Sequence, residues 1–272
     1  MILKVIKLGL NLANNPLITM KHLLFFSMAF LVSFNVYTQT ESETFKKKTL
    51  SNSNLSEKEL KNDLIKYNFS NLFSHTDNSV IYGFIGDNYQ RIRVKIIRIT
   101  KDTLSADTYH VLGKTMVKTN IDNFNGVVKI TNIRKLKSMS YGVDDEYKNK
   151  GIKGEYVIIA NYNFFENKNQ PHSGMFKSIL ESDFYLDKSF TIHYDDIELN
   201  ADGYINNQFI GEWIDYKTGL AKRCNWGDFR IPNSGDLDIG AGEFSPNDKY
   251  LKLGWKSIRD KNDKIEEAKW WK

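Results

Sequence analysis

The sequence predicts a mainly β protein: an antiparallel meander closed into a soluble β-barrel, with a short helix before it and a helical tail behind. A β-sandwich is the alternative way to bury the same strands. Three observations carry this expectation. Apolar residues recur with a period of two after about residue 79, as where Arg91, Arg93 and Lys95 alternate with Ile92, Val94 and Ile96. The segments are separated by tight-turn material such as Ala201-Asp202-Gly203 and Lys217-Thr218-Gly219. Strands joined so tightly run antiparallel, because a parallel return needs about a dozen residues. About eight or nine such strands make a sheet too large to leave flat, and closure removes its exposed edges.

The chain has 272 residues, enough for one well-buried β domain. Near its start, Met20, Lys21 and His22 precede the apolar run Leu23 to Val36, followed by Tyr37, Thr38 and Gln39. That order predicts a secretory signal peptide over residues 1–38, with translation starting at Met20 and cleavage after Thr38. The apolar run is 14 residues long, short of the about 20 that span a bilayer, so no transmembrane anchor is expected in the mature chain. A secreted or periplasmic location follows. The formal charge is +5, and residues 1–38 hold three lysines and no acid, leaving +5 − 3 = +2. A nucleic-acid partner calls for a clustered basic domain, so none is expected. The single Cys224 allows no intramolecular disulfide.

Residues 39–54 are rich in Ser, Thr, Asn and Lys and predict a flexible leader, with the barrel domain and its flanking helices over 55–272. Ser56 and Glu59 form an S-x-x-E capping box, and Leu60, Leu64 and Tyr67 extend a helix from Glu57 to Tyr67. Gly86-Asp87-Asn88 predicts a hairpin turn, and the adjoining Ile96 and Ile97 predict a β-bulge. Strands are expected at Thr108 to Lys118, Phe124 to Ile133, Gly154 to Phe165, Met175 to Leu186, Phe190 to Leu199 and Tyr204 to Tyr216, with Asp122-Asn123 a turn. Ser245-Pro246 predicts the start of a short helix ending near Gly254. The charged run from Trp255 to Lys272, with Ile258, Ile265, Trp270 and Trp271, predicts a further helix, either lying on the barrel or frayed from it.

No residue spacing matches a catalytic or cofactor motif, so function is sought in candidate surfaces. The stretch Asn225 to Asp248 concentrates glycines and acids, and supplies the binding candidates Trp226, Asp228, Phe229, Asp236, Asp238 and Glu243. Asp236, Asp238 and Glu243 are the candidate calcium ligands. Their spacing departs from the EF-hand pattern, and no cofactor is expected. The other reading makes this stretch turn geometry, with Leu237, Ile239 and Phe244 plugging the end of the barrel. The low-ranking catalytic candidates are Asp195 and Asp196, at a second expected bulge, where paired carboxylates could act as acid and base on a glycosidic bond. His110, His172 and His193 lie too far apart in sequence to form a local metal motif. Arg91, Arg93, Lys95 and Arg98, with Arg134, Lys135 and Lys137, make either a patch for an anionic glycan or lipid or a solvated outer face. Phe176, Ser178, Leu180, Ser182, Phe184 and Leu186 share one strand face, which either leaves room for an apolar ligand or fills a solid core. Trp226, Phe229, Trp255, Trp270 and Trp271 would form an exposed patch if the protein docks another protein.

The G-x-W of Phe209-Ile210-Gly211-Glu212-Trp213 resembles the signature of lipocalin- and avidin-like ligand-binding barrels. Tyr82 to Ile92 and Cys224 to Pro246 are similar to stretches of secreted bacterial β-rich proteins of unknown function. These resemblances imply a ligand-binding barrel and assign no catalytic residue. The expectation is therefore a non-catalytic secreted or periplasmic binding protein for a small apolar molecule, a glycan or a protein. The alternatives are a carbohydrate-active hydrolase using paired carboxylates, and a protein-interaction or inhibitor module.

Overall fold

A computed structural model describes residues 40–272. The expected signal peptide and the start at Met20 lie outside the described residues. Nine strands form one antiparallel sheet: β1 Ile81–Ile85, β2 Gln90–Lys101, β3 Thr108–Val117, β4 Asn120–Lys135, β5 Ile152–Glu166, β6 Gly174–Asp187, β7 Ile192–Tyr194, β8 Asn206–Asp215 and β9 Ala221–Asp228. Strands β1 to β6 pair in succession, β6 pairs with β8, β8 with β9, and β9 returns to β1, so eight strands close into a barrel. The three residues of β7 extend the sheet beside the far end of β6. Closure settles the barrel over the sandwich.

The expected bulge in β2 is present, where the register shifts between Ile96 and Arg98. A further shift in β4, between Ile130 and Asn132, has no comparable break in the apolar pattern. Asp122 and Asn123 are not a turn but lie inside β4, whose hairpin turn is Lys118-Thr119. The strand expected over Phe190 to Leu199 contracts to β7, so Asp195 and Asp196 leave the sheet rather than forming a bulge.

Alternate residues of each strand meet inside the barrel, and aromatic rings fill its middle. Trp226 stacks on Phe209 with centroids 4.5 Å apart, and Tyr162 stands edge-on to both. Gly211 permits this packing, because a Cβ there would sit 2.6 Å from the Tyr162 hydroxyl and 2.2 Å from the Lys177 carbonyl oxygen. Phe176, Leu180, Ser182, Phe184 and Leu186 are buried, so their face fills a solid core rather than leaving ligand room at mid-barrel.

One end is closed by the segment before β1. Phe69, Leu72 and Phe73 enter the core there, with Phe69 against Phe184 and Phe73 edge-on to Tyr109. At this base the buried carboxylate of Asp228 accepts hydrogen bonds from Thr76 (2.6 Å), Asn207 (2.7 Å) and Tyr194 (2.9 Å). The opposite end is framed by the hairpins β1–β2, β3–β4, β5–β6 and β8–β9.

The outer wall is braced by both ends of the described chain. Where composition predicts a flexible leader, Glu41–Leu50 forms helix α1, capped by Thr40. Its hold on the barrel is mostly polar, which an apolar count overlooks: Glu41 pairs with Arg223 at 2.8 Å and accepts from Asn225 and Asn233, while Leu50 packs against the outer cluster of Val157 and Ile159. The helix expected over 57–67 contracts to α2, Lys61–Leu64. Glu59 is diverted from the capping box, because its carboxylate accepts the Ile133 amide at 2.7 Å just past the β4 bulge.

The stretch after β9 does not plug the barrel end. Ile231, Leu237, Phe244 and Trp255 pack around Phe84 on the outside of β1, and Ile239 is exposed. Asn247, rather than Ser245, caps a 3-10 turn over Asp248–Leu253 that ends at Gly254 with φ 99°. Helices α3, Lys256–Arg259, and α4, Asp263–Glu266, then cross the outer face of β2. Arg91 and Arg93 are therefore not solvated: they are 7% and 8% exposed, and Glu266 bonds both, at 3.0 Å to Arg91 Nη1 and 2.8 Å to Arg93 Nη2. No helix among the described residues is long and apolar enough to cross a membrane.

Candidate binding site at the barrel mouth

The inward alternation continues past the aromatic core toward the hairpin end, but the residue types change. In register, Thr115 faces Asp122, Phe124 faces Glu166 and Phe176 faces Trp213. All of these but Phe124 border a cavity of about 720 Å³ that opens between the four hairpins. Phe176 and Trp213 line its inner part with Ile85, Ile92 and Val117. Lys118, Thr119, His172 and Lys222 are exposed at its rim. Lys222 lies over the Trp213 ring, its Nζ 5.2 Å from the centroid.

Two carboxyl groups sit in the throat. Glu166 is 5% exposed and accepts from the Thr115 hydroxyl (2.6 Å), the Trp213 indole N–H (2.9 Å) and the Gly174 amide (2.9 Å). Burial raises its pKa against the pull of those three donors. Gly174 is required for this contact, since a Cβ there would lie 2.5 Å from Trp213 Cε2. Asp122 is 3% exposed, and burial raises its pKa also. Its Oδ2 accepts from Asn120 at 2.5 Å, whereas Oδ1 is buried with no hydrogen-bond partner. An unpartnered buried acceptor carries its full desolvation cost, on the order of 1–3 kcal/mol or more when charged.

The residues singled out by sequence are dispersed instead. Trp226 belongs to the core and Asp228 to the base, where burial pushes its carboxyl up to about 6. Phe229 and Glu243 line a side cleft of about 470 Å³ with Tyr82, Tyr204 and Arg230. Asp236 is on the surface, paired with Lys249 and accepting from the Tyr250 hydroxyl. Asp238 is held by Arg230 and by the amides of Gly240 and Ser245. Asp236 and Asp238 are thus committed to other partners, while Glu243 lines the side cleft apart from both. Among the described residues no group of His, Cys, Asp and Glu could hold a metal ion.

The five aromatics do not form one exposed patch either. Trp226 and Trp255 are buried, Trp270 donates to Asn78 Oδ1 at 3.0 Å, and Trp271 lies beneath Lys95. Cys224 is enclosed in the core, where burial pushes its thiol pKa up. His110 and His193 pair separately with Asp102 and Asp187, while His172 stands at the barrel mouth.

Asp195 and Asp196 also part company. Asp196 accepts from the Tyr147 hydroxyl, outside the cleft that Asp195 borders. That outer-wall cleft, of about 430 Å³, is lined by Glu155, Asp183 and Glu198. Burial, then Asp195 and Glu198, push Glu155 up to about 7; burial and the neighbouring acids raise Asp195 to about 6. Asp183 is raised further by burial and by Glu181, Asp195 and Glu155.

Sequence reasoning missed Asp122, Glu166 and Trp213 at the mouth and Glu155 and Asp183 on the wall. A usable signal existed for the mouth: Asp122 is two residues before Phe124, and Glu166 is two after Phe164, so both acids are in phase with core aromatics on adjacent strands. Comparisons with protein-family models, curated proteins and solved structures find no match to this chain.

Proposed function

We propose that this protein is a non-catalytic binding protein, exported to the periplasm or the cell exterior, that takes a small molecule into the barrel mouth. The observation that carries the reading is the inward-facing cavity of about 720 Å³ above a solid core. Small-molecule sites typically enclose about 300–1,000 Å³ and combine apolar walls with a few converging polar groups. The mouth has that composition: Ile85, Val117, Phe176 and Trp213 supply apolar surface, and Asp122 supplies an acceptor with nothing to accept. Export is supported by the charged, apolar and short polar order of residues 20–39.

Native mass spectrometry of protein purified from its own source tests both parts. The expected spectrum shows a chain beginning at Gln39 and carrying a bound small molecule. Val117→Trp, which fills the cavity from a half-buried wall position, is expected to lose that adduct while keeping its melting temperature. An adduct-free wild type, or an adduct retained in a folded Val117→Trp variant, would remove the mouth as the site. A mature chain that retains residues 20–38 would remove export by signal cleavage.

A further inference from the structure

The geometry points to a primary amine with an apolar stem as the ligand of the mouth, its ammonium pairing with the Asp122 carboxylate while the stem lies along Ile85, Val117 and Phe176. This inference rests on reading the mouth as the binding site. Its starting point is an asymmetry within the throat: Glu166 has three donors, whereas Asp122 has one and keeps a buried oxygen unpartnered. A buried carboxylate oxygen without a partner is costly, and the strongest compensation is a charge-assisted hydrogen bond.

Among the described residues no lysine or arginine is buried in the throat. The groups around Asp122 are Glu166 from β5, His172 from the β5–β6 turn, Lys118 at the end of β3, Lys222 at the start of β9 and Asp87 in the β1–β2 turn. Lys118, Lys222 and His172 are exposed at the rim, and Lys222 is drawn over Trp213. The inner groups are therefore acids, amides and apolar side chains. A carboxylate ligand entering to that depth would meet Glu166 and Asp122, with only the exposed His172 ring near enough to act on Asp122, so an anion is disfavoured where an ammonium gains. A metal ion is disfavoured by the ligand set, since no cluster of suitable side chains converges among the described residues. The rim lysines then suit an anionic or hydroxyl-bearing outer end of the same ligand.

Isothermal titration calorimetry on the full mature chain tests this with three six-carbon probes: hexylamine, 1-hexanol and hexanoate. Hexylamine is expected to bind about tenfold or more tightly than either of the others, the scale of a charge-assisted hydrogen bond against a neutral one. Asp122→Asn, which keeps the shape, is expected to abolish that preference. A second measurement needs no variant. Because burial raises the Asp122 pKa, seating an ammonium there favours the ionised carboxylate, so hexylamine releases protons and binds more tightly as pH rises through the Asp122 titration. Hexanol should release none. Equal binding of amine and alcohol, tighter binding of hexanoate, no binding of any probe, or an amine preference that survives in Asp122→Asn would each overturn the amine inference. Should Asp122→Asn fail to fold, proton release by the wild type decides. The mass-spectrometric comparison with Val117→Trp stands apart from all of these, so the ligand class can fall while the mouth survives.

Discussion

Asp228, Asp195 and Glu155 set the acid response of the folded state. Burial is the largest cause in each case, and it holds Asp228 and Asp195 near 6 and Glu155 near 7, above the ordinary carboxylate range. The folded chain therefore binds more protons than the unfolded chain between about pH 4 and about pH 7, and its stability falls as pH rises through that window. For Asp228 alone, a rise of about two pH units corresponds to roughly 3 kcal/mol between the extremes. Melting temperature is expected to be higher at about pH 5 than at about pH 8, and Asp228→Asn should narrow that gap. A melting temperature that rises from acid to neutral pH would contradict the burial described at the base. None of this was legible in sequence. In sequence Asp228 is one of several acids in a glycine-rich stretch and so a binding candidate, and only strand register shows it beneath the barrel. Local spacing names residue types; burial is decided by residues distant in the chain, such as Tyr194, 34 positions away, and Thr76, 152 positions away.

The flanking helices show what period and composition can and cannot reach. Period two located most of the strands, and the adjoining Ile96 and Ile97 located the β2 bulge, because both are written in consecutive side chains. Helix α1 escaped notice because its contacts are an ion pair and amide hydrogen bonds to β9 rather than an apolar stripe. The tail was expected either on the barrel or frayed from it, and its main attachment was hidden. Glu266 pairs with both Arg91 and Arg93, which from sequence alone are two more cations on an outer strand face. Removing one member of a buried ionic group leaves the rest uncompensated, at about 3–5 kcal/mol. Glu266→Ala is therefore expected to cost about 3 kcal/mol in denaturant unfolding. It should also speed hydrogen exchange across α3 and α4, while the β1–β9 ladder stays protected. A change confined to a few tenths of a kcal/mol would show that the arginines are solvated after all.

At the scale of the whole molecule, the closed sheet and its aromatic middle make one cooperative body from strands far apart in sequence. Trp226 touches Phe209, Tyr162, Phe164 and Phe176, and so joins β9 to β5, β6 and β8. Trp226→Ala is expected to cost about 3–5 kcal/mol by cavity formation, read from equilibrium denaturation. Unchanged stability would place the side chain on the surface, as its sequence neighbourhood suggested. The closed architecture was legible because alternation, tight turns and strand number converge on it. The mouth was not, since its groups come from all eight barrel strands and become a site only through register. Phe69, Leu72 and Phe73 fill the base, so among the described residues the interior opens at the hairpin end. On the proposed reading, a ligand that enters past the four hairpins departs by the same route, so arrival and residence times answer to substitutions in those loops, and trimming the helices on the outer wall leaves the traffic unaltered.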